Sequence, residues 1–351
     1  MTDGFVLPSA LSKGDKVAVV ATSGGVQKFP EVIDKGVERL EGRFGLEPVL
    51  YDNVHEDTEY LNSHPEEKAE AFMKAFEDPE IKGVIALTGG DEQLRILKYL
   101  ENDRLRDNPT RFYGISDNTN LHIYLWSLGI TSFYGGQILD DLLAEGDIGE
   151  YTYSYLEKAF FEDSLGELEA SEKFTDEYFD LFQEEIVDDR ERFEAPEREF
   201  WNFEQKTVEG LLFGGCFEIM DWQLAAEKYL PENEELEGCI LALETSEEAP
   251  SITEIKRSLI SMGEKGFLQN FSAIIIATPM RQALHGEDRT IEEKKNYHRK
   301  HTEIIKEEIK NYCPETPVVF NMEFGHTHPK IPLKLGGKLK INPEKQKIKS
   351  L

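Results

Sequence analysis

Six short apolar runs, largely β-branched, punctuate this chain, and none of them alternates with polar positions: Lys16 to Ala21, Gly83 to Leu87, Arg111 to Ile115, Cys239 to Leu243, Ala273 to Ala277 and Pro317 to Phe320. A strand with one face in water has to alternate, so unalternated runs predict strands covered on both faces, as in a largely parallel sheet. Helical spacing fills the intervals. Ile33, Val37, Leu40 and Phe44 follow it, as do Ala69, Phe72, Met73 and Phe76 before a stop at Pro79. Ser251 and Glu254 have the pattern of a capping box opening a helix whose Ile252, Ile255, Leu259 and Met262 face one way, with Gly263 placed to end it. The alternation of strand and helix predicts an α/β class for both halves.

With 351 residues the chain exceeds one domain of roughly 150 residues, and two are expected. The pattern changes from about Leu165 to Gln205, where a charge run at Glu184 to Glu199 is broken by Pro196 and punctuated by Phe193, Phe200 and Trp201. The predicted division is residues 1–165, an acidic linker at 166–205, and residues 206–351. The charge run itself reads most simply as a solvated face.

Charge excludes several partners. The net charge of −30, from 69 acidic against 39 basic residues, repels nucleic acid and anionic lipid. Spread along the whole chain, it suits a solvated surface in high salt. Cys216, Cys239 and Cys313 are too few for a disulfide framework and lack metal-ligand spacing. The amino terminus has no basic-then-apolar leader pattern and no run reaches the ~18 apolar residues of a membrane span, so a cytoplasmic protein is expected.

Four strand-end segments carry groups suited to chemistry. Gly114-Ile115-Ser116-Asp117-Asn118 reads as a sharp turn between strand and helix, which presents a hydroxyl at a strand end and lets the Asp117 amide face an oxyanion. Asn118 stands where the usual elbow has its second glycine, and an ordinary helix cap by Ser116 and Asp117 explains the segment equally well. Thr88-Gly89-Gly90-Asp91 offers backbone amides to an anion, or simply a tight turn, and Gly24-Gly25 has the same ambiguity. Leu243-Glu244 ends an apolar run on a carboxylate that can orient an imidazole, although most glutamates of so acidic a chain are surface residues. Asn321 to Pro329 carries His326 and His328 after another run. Histidine is the usual general base near neutral pH, and no third ligand for zinc is visible in the pattern. His122 is expected to pack, and His285, His298 and His301 to stay solvated.

Taken in order, these segments resemble the LD-carboxypeptidase family of serine peptidases, including its microcin C self-immunity branch. The resemblance spans nearly the whole chain and rests on Gly14 to Ser23, Thr88-Gly89-Gly90, Gly114 to Thr119, Gly214-Gly215-Cys216, Leu243-Glu244 with Glu247, and Gly325-His326 followed by Pro332. It implies a flavodoxin-like parallel-sheet N-terminal domain plus a smaller swivelling β/α C-terminal domain, a triad of Ser116, Glu244 and His326, oxyanion donors at the amides near Gly90 and Asp117, no metal or organic cofactor, and a homodimer. The segments around Cys216 and Trp201 look more like the microcin-immunity type, whose members are similar in cleaving peptidyl or aminoacyl nucleotides. Trp201 would then stack on a nucleobase, or else bury itself in the domain interface. A murein tetrapeptide is the alternative substrate. Gly135-Gly136 stands where glycine-proline is expected, and the acidic insertion has no family counterpart. A non-catalytic binding module and a dinucleotide-binding enzyme are rivals; the second lacks the G-x-G-x-x-G turn.

Overall fold

The computed structural model describes residues 4–26, 30–179, 188–204 and 206–351. The first five strands are β1 (Lys16–Val20), β2 (Glu47–Leu50), β3 (Ile81–Ala86), β4 (Arg111–Gly114) and β5 (Ser132–Tyr134), all parallel in the order 2-1-3-4-5. This is the flavodoxin-like order, which leaves a crevice at the carboxyl ends of the strands. The missing alternation has its expected cause. Val17 and Val19 enter one apolar cluster with Ile85, while Ala18 and Val20 enter another with Val84 and Ala86 on the opposite face.

In the next part of the chain β6 (Gly166–Glu167), β7 (Lys173–Phe174), β8 (Phe193–Glu194) and β9 (Glu199–Trp201) are short, and among the described residues β7 and β8 form a two-stranded sheet of their own. The second sheet is built on β10 (Val208–Cys216), β11 (Ile240–Glu244), β12 (Ala273–Ala277) and β13 (Val318–Met322), which run parallel side by side. β14 (Leu333–Leu335), β15 (Lys338–Asn342) and β16 (Lys347–Ser350) complete the chain. The order of the second sheet is β6-β16-β15-β10-β11-β12-β13-β9.

Strands cross the expected cuts in both directions. β14 pairs antiparallel with β5 and so returns to the N-terminal sheet, whereas β6 and β9, from the expected linker, edge the C-terminal one. The two sheets are thereby laced together, and neither ends where the composition changes.

The acidic segment is also less solvated than its charge suggests. Residues 184–187 of the run lie outside the described residues. Of the remainder, Arg190 sits 2.7 Å from the buried Asp188, and Arg198 pairs with the buried Glu323 beyond β13. Nearby, Arg281 pairs at 2.7 Å with the buried Asp176. Removing one partner of such a pair typically costs about 3–5 kcal/mol because the other charge is left buried.

The capping box forms as expected. Ser251 Oγ accepts from Glu254 N at 3.3 Å, and the Glu254 carboxylate accepts from Ser251 N at 2.8 Å. Gly263 serves packing rather than termination, for the helix continues to Glu264 and a side chain at 263 would run into the Tyr312 ring at 2.3 Å. Two histidines depart from expectation. His301 is buried among apolar side chains, which pushes its pKa down to about 3, and His298 is largely covered and hydrogen-bonds Asn321 at 2.8 Å. Among the described residues no helix is long and apolar enough to cross a membrane.

Candidate active site

Ser116 follows β4 with φ +63°, a left-handed conformation that a non-glycine residue holds only where its surroundings impose it. Neither it nor Asp117 caps the following helix, Thr119–Ser127, through a side chain, so the plain-cap explanation fails. The Asp117 carboxylate turns inward, accepting from the Ser23 hydroxyl, from Gln93 N at 2.9 Å and from Asn120 Nδ2 at 2.9 Å. Burial pushes its pKa up to about 6 against those donors.

Asn118, in the place of the elbow's second glycine, ties three strand ends together. Its Nδ2 donates to Thr88 O at 3.2 Å and Ile115 O at 3.0 Å, and its Oδ1 accepts from Thr22 Oγ1 at 2.6 Å and Gln93 Nε2 at 2.8 Å. Gly114 is required beneath it, since a Cβ there would lie 2.9 Å from that of Asn118.

The glycine pair after β3 lies over the same turn. A Cβ on Gly89 would come within 2.8 Å of the Ser116 Cβ, and one on Gly90, at φ +157°, within 2.5 Å of Ser23 Oγ. Gly24 N donates to Gly89 O at 2.9 Å, and among the described residues the Gly90 amide has no acceptor. Gly90 N–H thus remains available to an anion beside Ser116.

From the other lobe, β11 ends on Glu244 and the loop after β13 carries His326. His326 Nδ1 lies 2.8 Å from Glu244 Oε2. Gly325, at φ +85°, makes this approach possible, because a side chain there would collide with the Glu244 carboxyl at 2.6 Å. Burial opposes ionisation of Glu244, yet His326 outweighs it, with Tyr134 and Lys330 adding to the effect, and the carboxyl is held below its usual range. Burial likewise opposes charge on His326, but Glu244 and Glu247 outweigh it and hold the imidazole well above its ordinary value.

The link between the lobes is a residue that sequence reasoning missed. Tyr134, at the end of β5, accepts from Ser116 N at 3.1 Å and donates to Glu244 Oε1 at 2.5 Å. Its strand is three residues long and gave no apolar run to find. Thr119 adds a second tie, its hydroxyl accepting from Cys216 N at 2.9 Å, and Gly215 leaves room for it. The departure at Gly135-Gly136 has a local cause, for Gly136, in the place of the expected proline, holds φ +83°, which a proline ring cannot adopt.

The structure therefore gathers Ser116, Gly90 and Asp117 on one side and Glu244 and His326 on the other, joined through Tyr134. Among the described residues the Ser116 hydroxyl makes no hydrogen bond to His326; Nε2 of the ring lies 2.9 Å from Glu247 Oε2 instead. His328 faces elsewhere, with Nδ1 at 2.9 Å from Arg190 and Nε2 at 3.0 Å from Asp140, so the two histidines do not converge. His122 packs as expected, hydrogen-bonded to Ser132 Oγ at 2.7 Å and Gly114 O at 2.9 Å. Trp201 is expected either over a nucleobase or buried in the domain interface. It pairs with Val318 at the opposite end of β13 from His326 and packs against the apolar cluster of the C-terminal lobe.

Sequence models of the LD-carboxypeptidase N-terminal and C-terminal domains, the two parts of peptidase family S66, match residues 17–135 and 209–341. The microcin C7 self-immunity protein MccF of Escherichia coli is 24% identical over 351 residues, covering 98% of this chain and 95% of that protein. A Bacillus subtilis protein named "Probable murein peptide carboxypeptidase" is 30% identical over 136 residues, 38% of this chain and 42% of that one. Among solved structures, an MccF-like protein from Streptococcus pneumoniae in complex with AMP matches with a TM-score of 0.84 at 25% identity, over 96% of this chain and 99% of that one. MccF in complex with glutamyl sulfamoyl guanosine matches with a TM-score of 0.82 at 23% identity, over 98% of each chain.

Proposed function

The chain belongs to the LD-carboxypeptidase family, and from that premise we propose that it is a serine hydrolase of an amide-type bond, with Ser116 as nucleophile, His326 as general base and Glu244 as the acid that orients the base. In this reading His326 takes the proton of Ser116 as Oγ attacks the carbonyl carbon, and Glu244 steadies the imidazolium. The amides of Gly90 and Asp117 receive the oxyanion. The proton passes from His326 to the leaving nitrogen, and water, activated by the same ring, releases the acyl group from Ser116. The reaction asks for no metal or organic cofactor.

The observation that carries the reading is the 2.8 Å contact between Glu244 and His326, buried at the strand ends that Tyr134 joins to the strained Ser116 turn. With side chains only 1% and 7% exposed, such a carboxylate–imidazole pair serves proton traffic or structure, and the φ of Ser116 favours the former.

For substrate we propose a peptidyl or aminoacyl nucleotide. The support is the pairing of a full-length MccF relative with neighbours that hold AMP, glutamyl sulfamoyl guanosine and aspartyl sulfamoyl adenosine. A murein tetrapeptide is the second reading, favoured by the Bacillus relative over its shorter match. A hydrolysis screen of aminoacyl sulfamoyl adenosine against murein tetrapeptide, with Ser116→Ala as blank, separates them. Cleavage of the nucleotide alone supports the first reading; cleavage of the tetrapeptide alone replaces it with the second. The family resemblance further leads us to expect a homodimer in the cytoplasm, which sedimentation and cell fractionation test.

A further inference from the structure

Glu247 has no part in the reaction proposed above, yet its Oε2 lies 2.9 Å from Nε2 of His326. Nδ1 of the ring is already engaged by Glu244 at 2.8 Å, so Nε2 is the nitrogen a serine hydroxyl needs. A carboxylate oxygen accepts and never donates when ionised, so two such oxygens at hydrogen-bond range ask for a proton on each ring nitrogen. A ring that carries both protons is an acid and cannot take a third.

The contact is built to come apart. Glu247 Oε2 is shut off from solvent and has no partner besides the His326 ring among the described residues. The Glu247 side chain nevertheless keeps 33% of its surface exposed. Its backbone is pinned, the carbonyl accepting from Leu284 N at 2.9 Å, in a turn where Ala249 holds φ +43°. Rotation of the side chain alone can therefore move the carboxylate into water while the loop stays in place.

The geometry points to Glu247 as a latch on the base: in the resting protein its carboxylate occupies the ring nitrogen that must face Ser116, and His326 becomes competent only when that carboxylate swings away. The latch rests on the proposed roles of Ser116 and His326. When Glu247 leaves, the Nε2 proton passes to water and the neutral ring can accept the proton of Ser116 Oγ.

Several groups facing this pair set its balance. Glu244 holds Nδ1, with Tyr134 and Lys330 acting on Glu244. Asp140, across the cleft and paired to Lys330 and His328, repels Glu247. Asp91 and Glu248 likewise feel the negative charge of Glu247 from the loop after β3 and from its own loop. The attraction of the imidazolium is thus opposed by like charges on several sides, which suits a contact meant to open.

Two readouts separate the latch from the chemistry it serves. Nitrogen-15 NMR of the imidazoles, with His326 assigned by comparison with His326→Gln, follows ring protonation without any substrate. Glu247→Gln should lower the His326 titration midpoint, and Glu247→Ala should do the same; a midpoint unmoved in both folded variants overturns the latch. Labelling of Ser116 by a fluorophosphonate reads the consequence. At pH 7 Glu247→Gln should be labelled about tenfold faster than the parent chain, one unit of ring protonation equilibrium, with the two rates converging as pH rises. Equal rates at every pH overturn the latch alone. A Ser116 that no form of the protein labels overturns the hydrolase reading and the latch with it.

Discussion

The hydroxyl of Tyr134 bridges the two lobes, accepting from the backbone of Ser116 at 3.1 Å and donating to Glu244 at 2.5 Å. One oxygen thereby fixes the position of the strained serine relative to the carboxylate that holds His326. Tyr134→Phe keeps the ring and removes the bridge, leaving a buried amide and a buried carboxylate oxygen each short of a partner. Each such loss is worth about 1–3 kcal/mol. The variant should unfold at lower denaturant concentration and be labelled at Ser116 at least tenfold more slowly than the parent chain. An unchanged labelling rate would mean that the bridge does not position the serine.

Gly325 should be intolerant of any side chain. Its φ of +85° already disfavours an L-residue, and the added methyl would meet Glu244 at 2.6 Å. Gly325→Ala should lose about 1–2 kcal/mol from the backbone conformation alone. It should also part Glu244 from His326, so that the pH profile of Ser116 labelling changes shape. A variant with the parent profile would show that the close approach is dispensable.

Acid should expose the buried histidines. Burial lowers His301 to about 3 and His122 to about 4, against an ordinary value near 6.5. In the unfolded chain these rings take up protons as pH falls through about 6.5, while in the folded chain they stay neutral. Their contribution is therefore complete above 6.5 and declines below it. Asp117 and Asp141, both pushed up to about 6, act in the opposite direction, so the useful quantity is a difference between variants. His301→Leu should gain stability relative to the parent as pH is lowered from 7 to 4, measured by urea midpoints. A constant gap would contradict the assignment.

Salt should stabilise the protein. A net charge of −30 repels itself in the compact state, and the screening length shrinks from about 10 Å at 0.1 M to about 3 Å at 1 M. The melting temperature should rise over that interval of sodium chloride. A melting curve indifferent to salt would count against the solvated acidic surface.

The sequence revealed what depends on local pattern. Unalternated runs such as Val17 to Val20 marked strands buried on both faces, and the Ser251–Glu254 capping box announced its helix. Strand exchange was invisible, because β14 and β6 are two or three residues long and their pairing is decided by distant chain. The glycines at 89, 215 and 325 were visible as residues, but each is required by a contact made across the fold. Tyr134 was unreadable as a site element for the same reason, and Glu247 was visible as part of a motif but not as a contact of His326. The charge run misled about exposure, since a buried arginine–carboxylate pair such as Arg198–Glu323 has the same composition as a solvated one. Trp201 misled in the other direction: an aromatic near a family motif suggested a ligand, and its strand pairing put it at the far end of β13.

The central claim is that Ser116 is a nucleophile served by His326. Its most direct measurement is mass-spectrometric localisation of a fluorophosphonate label on the full chain, with the labelling rate compared between the parent and His326→Ala. One label per chain is expected, on Ser116, with the rate in His326→Ala lower by a factor on the order of 10⁴. A label on any other residue, or equal rates in the two proteins, would contradict it.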